Sequence, residues 1–253
     1  MAGRTTRDMV DRVVVITGAS RGIGALLAES FSVAGASVGL LARDEAAIKD
    51  LAGRLTRPAI PVACDVADED SVTEAFTQLA DRFGRIDSVV ANAGIAPGSG
   101  RAHTLDAGTW RSIVDVNLTG TFLTAQAAYP HLAVSGQGRL VLTSSVMAAL
   151  PRRGIAAYAA SKAGIEGLAR ALAADWAIDG ITVNAVAPGF FDVGMGHVFH
   201  ESERLSKQVS SRTPVGRFGS ADELAGVVRF LAGEPSSYVT GQVLAVDGGY
   251  GLG

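Results

Sequence analysis

A tyrosine and a lysine stand four residues apart in the stretch AAYAASKAGIEGLARALAADW, at Tyr158 and Lys162. On a helix this spacing places both side chains on one face. A free phenol titrates at about 10, and a neighbouring ammonium typically lowers such a pKa by about 1–3 units. The pair therefore predicts a group that exchanges protons, although the same spacing is common by chance.

Other polar side chains give this pair a context. LTSSV closes one apolar run with Ser144 and Ser145, and ANAG closes another with Asn92 and Gly94. Asn117 stands in the otherwise apolar helical stretch VDVNLTG, where an amide is unfavourable without a partner. If these segments converge, the chain carries a polar cluster rather than an isolated pair.

The elements that must position these residues alternate along the whole chain. Seven apolar runs are separated mostly by helical patterns: RVVVIT, SVGLLA, AIPVACD, IDSVVANAG, GRLVLTSS, GITVNAVAP and GQVLAVDGG. Apolar strands that alternate with helices predict right-handed crossovers and a parallel sheet covered on both faces. We predict an α/β Rossmann fold over residues 1–253: one doubly wound domain, a seven-stranded parallel sheet, helices on both faces, and ligands at the carboxyl ends of the strands.

A glycine-rich stretch follows the first run, which ends at Thr17. In TGASRGIG, Gly18, Gly22 and Gly24 open a helical pattern. A strand, a turn and a helix in this order let the backbone approach a pyrophosphate at the positive end of the helix dipole. The spacing differs from the common G-x-G-x-x-G fingerprint, and a tight structural turn is the alternative. The position after the first strand favours a dinucleotide site.

The second run ends in LLARDE and bears on the choice of cofactor. An acidic residue here would hold an adenosine ribose hydroxyl, whereas an arginine would accommodate a 2′-phosphate. Arg43 follows Ala42 at the end of the run, and Arg21 lies in the glycine loop. Two guanidinium groups suit a phosphate dianion, so we predict NADP(H). Asp44 supports the alternative, NAD(H).

The ordered motifs resemble the short-chain dehydrogenase/reductase family, in its single-domain branch. They are TGASRGIG, CDV at residues 64–66, ANAG, Asn117, Ser145, YAASK, and PG at residues 188–189, and they span the chain from first to last strand. PVGRFG and VDGGY are similar to segments of 3-oxoacyl-carrier-protein reductases and related ketoreductases. The resemblance implies an NADP(H)-dependent carbonyl reductase or alcohol dehydrogenase acting on a ketone or secondary alcohol.

The resemblance also implies a role for each matching residue. Tyr158 would exchange a proton with the reacting oxygen. Lys162 would lower the pKa of Tyr158 and bind the nicotinamide ribose. Ser145 rather than Ser144 would hydrogen-bond that oxygen, and Asn117 would hold a water that relays protons to Lys162. The implied cofactor contacts are Gly18, Ser20, Arg21, Gly22, Ile23, Gly24, Arg43, Asp65, Val66, Asn92, Ala93, Gly94, Tyr158, Lys162, Pro188 and Gly189.

The least regular segment, at about residues 190–219, is expected to bind the substrate. Its apolar residues predict an apolar pocket: Phe190, Phe191, Met195, Val198 and Phe199. Val193 stands where the family often has a threonine that contacts the nicotinamide amide or its phosphate. The missing hydroxyl is expected to affect cofactor affinity more than activity.

Composition argues against other classes of function. The chain has 25 acidic and 22 basic residues without a block of like charge, so neither nucleic acid nor a membrane surface is an expected partner. No signal peptide or spanning segment is recognisable, and Cys64 is the only cysteine, so a cytoplasmic protein is expected. No metal is expected, because His197 and His200 have no further ligands nearby. The resemblance implies a homotetramer, or a homodimer.

A different class of function also uses this fold, namely a non-catalytic nucleotide-binding protein that acts as a redox sensor. Such proteins commonly lose the tyrosine or the lysine. Here Asn117, Ser145, Tyr158 and Lys162 are all present, which favours an enzyme.

Overall fold

Seven strands form a single parallel sheet in the computed structural model, which describes residues 8–96, 100–193 and 202–252. The strands are β1 (Val13–Thr17), β2 (Ser37–Ala42), β3 (Ala59–Ala63), β4 (Ser88–Ala91), β5 (Arg139–Thr143), β6 (Thr182–Pro188) and β7 (Val243–Val246). Their order in the sheet is β3-β2-β1-β4-β5-β6-β7, and each neighbouring pair is parallel. The order reverses between β1 and β4, which is the switch point where doubly wound sheets bind ligands. The predicted fold is confirmed.

Helices cover both faces of this sheet. They are α1 (Gly22–Val33), α2 (Glu45–Arg54), α3 (Glu69–Phe83), α4 (Ala107–Val114), α5 (Gly120–Ser135), α6 (Ala156–Trp176), α7 (Glu203–Arg212) and α8 (Ala221–Ala232). A π-helical turn, Asp115–Thr119, joins α4 to α5. Acidic caps start α2, α3 and α4, and a capping box of Ser220 and Glu223 starts α8.

The core lies on both sides of the sheet, because successive side chains of a strand point to opposite faces. On one face, Phe76, Leu79 and Ile165 of the helices pack against the strands. On the other face, Phe31 of α1 and Leu231 of α8 do the same. Burying each such side chain contributes about 1.5–3 kcal/mol, which explains why the central strands read as unbroken apolar runs.

The segment predicted to bind substrate is more regular than expected in its described part. It contains α7, and Phe191 forms a bridge with Gly219 that ties the two ends of the segment together. Three of its predicted pocket residues, Met195, Val198 and Phe199, lie outside the described residues, as do His197 and His200.

Candidate active site

Lys162 lies beneath the carboxyl end of β5, on the helix α6 that packs against that strand. Only 3% of this residue is exposed, and its Nζ donates a hydrogen bond of 2.7 Å to the main-chain oxygen of Thr143. The Nζ lies 5.8 Å from the centre of the Tyr158 ring. The four-residue spacing therefore does bring the ammonium and the phenol onto one face of one helix.

Burial changes the pKa of both groups. It lowers the pKa of Lys162 to about 8, and it raises the pKa of Tyr158, with a hydrogen bond from Ser145 acting in the opposite direction. The sequence predicts that the ammonium lowers the tyrosine pKa, but in this structure desolvation raises it and outweighs the opposing hydrogen bond with Ser145. Tyr158 is consequently a protonated phenol at neutral pH, a state suited to donating a proton.

The two serines after β5 have different surroundings. The Ser144 hydroxyl faces α6, 3.1 Å from the main-chain oxygen of Lys162 and 2.9 Å from a carboxylate oxygen of Glu166. The Ser145 hydroxyl interacts with the phenol of Tyr158 and accepts a hydrogen bond of 3.2 Å from the amide of Met147. Ser145 and not Ser144 therefore lies beside the phenol.

Asn117 is fully buried in the π-helical turn. Its amide nitrogen donates to the main-chain oxygen of Ile95 at 2.9 Å and to the Ser161 hydroxyl at 3.1 Å. Its amide oxygen accepts from the Ile95 amide at 2.7 Å. The amide thus fixes the loop after β4 against α6, and the polar group that is unfavourable in an apolar helix is paired.

Gly94 leaves space between these groups. A Cβ at this position would lie 3.3 Å from the Asn117 amide oxygen and 3.5 Å from the Lys162 Nζ. Any larger side chain would extend towards the space in front of the ammonium. A glycine here keeps the ammonium and the amide open to the cleft at the carboxyl end of β4.

The glycine loop presents free backbone donors at the start of α1. Arg21 precedes the helix in an extended conformation without a side-chain cap, and the first turn has no acidic residue. Gly18 has a φ of +68°, and a Cβ at Gly24 would collide with the Gly18 carbonyl oxygen. The loop therefore packs backbone against backbone and leaves amides at the positive helix end for an anion.

The ends of β1 and β4 are joined at the switch point. The Thr17 hydroxyl accepts from the amides of Asn92 at 3.0 Å and Ala93 at 3.1 Å, and the Asn92 side chain donates to the Thr17 carbonyl at 3.0 Å. These bonds hold the glycine loop and ANAG in a fixed relation. Both sides of the predicted cofactor cleft are thereby pre-arranged.

The adenosine end of this cleft is more loosely built. Arg43 lies 3.9 Å from Asp65, with the two side chains 69% and 43% exposed. Asp44, the residue that supports NAD(H), instead caps α2 by accepting from the Ala47 amide at 3.0 Å. The Asp44 carboxylate, which could otherwise bind the ribose hydroxyls of NAD(H), therefore already has a structural role.

The remaining predicted contacts lie along the same edge of the sheet. Each follows the carboxyl end of a strand: Ser20, Arg21, Gly22 and Ile23 after β1, Asp65 and Val66 after β3, and Pro188 and Gly189 at the end of β6. The Gly189 amide donates to Val246 of β7 at 2.9 Å. Their common location is what a dinucleotide lying across the sheet requires.

An apolar cluster borders the phenol on the other side of the cleft. Buried Val146, Met147 and Tyr250 pack with Ile155, Tyr158 and Phe190. The rings of Phe190 and Tyr250 lie 5.1 Å apart in an edge-to-face arrangement. An apolar cluster that includes one of the predicted pocket residues, Phe190, therefore lies next to the Tyr158 phenol.

Comparison with known proteins identifies the family. A family model described as enoyl-(acyl carrier protein) reductase matches residues 18–251. The chain is 39% identical to cis-4-hydroxycyclohexanecarboxylate dehydrogenase of Sinomonas cyclohexanicum, covering 95% of this chain and 96% of that one. It is 36% identical to a 3-oxoacyl-[acyl-carrier-protein] reductase of Mycobacterium tuberculosis, covering 96% and 94%. The chain belongs to the short-chain dehydrogenase/reductase family.

Solved structures agree with this assignment. A gluconate 5-dehydrogenase from Burkholderia cenocepacia, in complex with NADP and tartrate, superimposes with a TM-score of 0.92 at 36% identity and covers 98% of this chain and 99% of its own. As a member of the family, this short-chain dehydrogenase/reductase is an oxidoreductase that acts on CH–OH or C=O groups with a nicotinamide cofactor. The free amides of α1 and the close approach of Gly24 to Gly18 fit such a cofactor.

Sequence reasoning missed one residue of the cleft in this dehydrogenase/reductase. Tyr250 is not among the residues that the sequence predicts for the site, but its ring belongs to the apolar cluster. The Asp247 carboxylate accepts from the amides of Gly249 at 2.9 Å and Gly251 at 2.7 Å, which turns the tail back over the cleft. The VDGGY motif contains the signal for this turn.

Two other residues of the variable segment face away from the cleft. Phe191 is buried in the core beneath α1 and α8, and Val193 packs against the same core. The methyl groups of Val193 thus contribute packing where the family often has a hydroxyl. Of the two predicted pocket residues that are described, only Phe190 lines the cleft.

The described residues offer neither a metal site nor a membrane-spanning helix. In residues 8–96, 100–193 and 202–252, no group of three or more histidine, cysteine, aspartate or glutamate side chains is arranged to hold a metal ion. No helix within those ranges has the length and hydrophobicity needed to span a bilayer.

Proposed function

We propose that this chain is an NADP(H)-dependent carbonyl reductase or alcohol dehydrogenase that interconverts a ketone and a secondary alcohol. The observation that carries this proposal is the contact of Ser145 with the Tyr158 phenol, with the buried Lys162 ammonium beside it. Two hydroxyl groups that meet at one point can both hydrogen-bond a single carbonyl oxygen. This is the arrangement that reduction of a carbonyl needs.

The residues divide the work during reduction. Ser145 holds the carbonyl oxygen, and Tyr158 donates its proton to that oxygen as negative charge develops. When bound, the nicotinamide supplies the hydride to the carbonyl carbon. In the direction of oxidation, Tyr158 takes the proton back from the alcohol.

Lys162 stabilises the tyrosinate that is left after proton donation. A positive charge at this distance is more effective in a buried cleft than in water. Its Nζ also faces the cleft beside Gly94, where it is available to the ribose hydroxyls of the cofactor. Asn117 holds the neighbouring loop. Its amide oxygen retains a lone pair for a water that relays protons to Lys162.

The preference for NADP(H) is supported by the adenosine end of the cleft. Arg43 and Arg21 are both exposed at the carboxyl edge of the sheet. The Asp44 carboxylate caps α2 and so does not serve to bind the ribose hydroxyls. The Burkholderia relative was solved with NADP. NAD(H) is the alternative, with Asp65 as the remaining carboxylate near Arg43.

The substrate is expected to be an apolar ketone or secondary alcohol. Val146, Met147, Ile155, Phe190 and Tyr250 offer carbon surface around the phenol. The relatives described above are named for a cyclohexane ring compound, a sugar acid and acyl chains. A cyclic or medium-chain ketone fits this set.

We also propose a cytoplasmic homotetramer, or homodimer, that binds neither nucleic acid nor membrane. Trp110 of α4 and Phe122 of α5 expose 42% each, and Leu252 after β7 exposes 87%. Exposed apolar side chains on helices and at the edge of the sheet support self-association. Light scattering of the purified protein tests the number of subunits.

A panel of ketones with NADPH and with NADH tests the proposed activity. We expect oxidation of NADPH, followed by its absorbance, that depends on the ketone and is slower with NADH at equal concentration. Binding of NADPH without oxidation by any ketone would favour the non-catalytic redox sensor. Faster turnover with NADH would favour the NAD(H) alternative.

A further inference from the structure

The mouth of the apolar cleft carries a cation. Arg212 lies in the last turn of α7, and its guanidinium carbon is 4.9 Å from the centre of the Tyr250 ring. Tyr250 itself is buried against Val146 and Met147 and beside Phe190. The ring that lines the cleft is therefore also the surface on which the guanidinium rests.

Arg212 differs from the other cations near it. Lys207 pairs with Glu203 at 2.8 Å, and Arg217 pairs with Glu223 at 2.7 Å. Within the described ranges, no carboxylate lies within ion-pair distance of Arg212, and its contact is the aromatic ring.

The nearest acidic group of the tail does not serve as a partner. Both oxygens of Asp247 accept hydrogen bonds from main-chain amides, those of Gly249 and Gly251. A guanidinium that lies over a ring keeps its N–H donors in its own plane, where they remain able to bind a carboxylate in a bidentate manner. Arg212 therefore rests on the Tyr250 ring beside the apolar cluster, and among the described residues its N–H donors have no hydrogen-bond partner.

We propose that Arg212 binds a carboxylate of the substrate, so that the substrate class is an oxo or hydroxy acid with an apolar body. This inference rests on the proposed function, because it places the carbonyl at Ser145 and Tyr158. The carbon body lies over Val146 and Tyr250, and the carboxylate reaches the mouth.

The distance between these points restricts the acid. Arg212 rests on the Tyr250 ring at 4.9 Å, and Tyr250 in turn belongs to the apolar cluster against which Tyr158 packs, so an aromatic ring separates the guanidinium from the phenol. The carboxylate must therefore be several carbons from the carbonyl, across a ring or along a chain. A 2-oxo acid, in which the two groups are adjacent, does not fit.

The test uses a matched pair of ketones, 4-oxocyclohexanecarboxylate and its amide, with wild type and two variants. Arg212→Gln should raise KM for the carboxylate about tenfold or more and change KM for the amide by less than about twofold. Arg204→Gln removes an exposed charge from the same helix and should leave both values unchanged. An equal effect of Arg212→Gln on both ketones, or no effect on either, would overturn the proposal.

Binding separates this proposal from the proposed function. Cyclohexanecarboxylate and cyclohexanecarboxamide are titrated into the NADP-loaded enzyme by calorimetry, without turnover. We expect the carboxylate to bind more tightly, and only its affinity to fall in Arg212→Gln. If wild type reduces neither ketone, the proposed function is wrong for this class, yet Arg212-dependent carboxylate binding still supports the site. If wild type reduces the amide with the same kcat/KM as the acid, the proposed activity stands and the carboxylate site is rejected.

The aromatic support of Arg212 gives a second test. Tyr250→Phe retains the ring and should keep the preference for the carboxylate over the amide, whereas Tyr250→Leu should lose it. Equal preferences in these two variants would show that the ring does not position the guanidinium.

Discussion

The catalytic end and the adenosine end of the cofactor cleft are built in opposite ways. At the catalytic end, Lys162 is almost fully buried and held to the Thr143 carbonyl at 2.7 Å. At the adenosine end, Arg43 is 69% exposed and lies 3.9 Å from Asp65. Proton transfer depends on fixed positions in a dry environment, whereas an exposed arginine can be substituted without disturbing the core.

This difference has a consequence for how each end tolerates mutation. Changes at the catalytic end should affect rate and folding together, because the same groups are buried and hydrogen-bonded. Substitution of the exposed Arg43 at the adenosine end should affect the choice of cofactor alone.

Tyr158→Phe should produce the largest effect. The phenolic hydroxyl is lost while the ring keeps its place in the apolar cluster, so ketone reduction should fall by about 10²–10⁴-fold. NADPH affinity, measured by fluorescence titration, should stay near that of wild type. Retention of more than about a tenth of the activity, a loss below about 1.4 kcal/mol of barrier, would remove Tyr158 from the proton-transfer step.

Lys162→Met should lower activity and raise stability. Burial lowers the pKa of Lys162 from 10.5 to about 8, so a charged lysine destabilises the folded protein at neutral pH, by about 3 kcal/mol from this shift alone. Methionine keeps the volume without the charge, and the variant should unfold at higher urea concentration while reduction falls by about a hundredfold or more. A less stable variant would show that the bond to Thr143 outweighs desolvation.

The pH dependence of that stability difference supplies a control for Lys162→Met. Between pH about 8 and 10.5 the unfolded lysine binds more protons than the folded one, so wild type gains stability with pH relative to the variant. Cys64, whose pKa burial raises to about 11, titrates equally in both proteins and cancels. A pH-independent difference would contradict the burial account.

Arg43→Ala should act on cofactor choice only. The guanidinium is exposed and screened by water, so its loss should raise the dissociation constant of NADPH by about tenfold and barely change that of NADH. Lys49→Ala, which removes an exposed charge from the neighbouring helix α2, is the matched control and should change neither. Equal weakening of both cofactors by Arg43→Ala would favour the NAD(H) assignment.

Asp44→Ala should produce the smallest change, and it should be structural. The carboxylate caps α2, and loss of such a cap costs about 0.5–2 kcal/mol of stability. The ratio of NADPH to NADH affinity should stay constant, and Asp44→Asn should restore stability because asparagine also caps helices. A change in that ratio would mean that Asp44 reads the ribose after all.

Local pattern and ordered motifs predicted most of the fold and part of the site. The five central strands were readable because they are buried on both faces, and the edge strands β3 and β7 because they remain largely apolar although partly exposed. Tyr158 and Lys162 were readable because their spacing fits one helix. The direction of the Tyr158 pKa shift could not be predicted from the sequence, because desolvation depends on residues far apart in the chain. The bonds of Asn117 to Ile95 and the contact of Arg212 with Tyr250 were hidden for the same reason.

We propose that the buried tyrosine and lysine serve a hydride transfer rather than the sensing of a nucleotide. The most direct measurement is the fate of deuterium from NADPH labelled at the transferring position of the nicotinamide, incubated with a cyclic ketone and the wild-type enzyme. We expect an alcohol that carries deuterium on its carbinol carbon, in proportion to the NADPH oxidised. Tight binding of NADPH with no labelled alcohol from any ketone of the panel would contradict it.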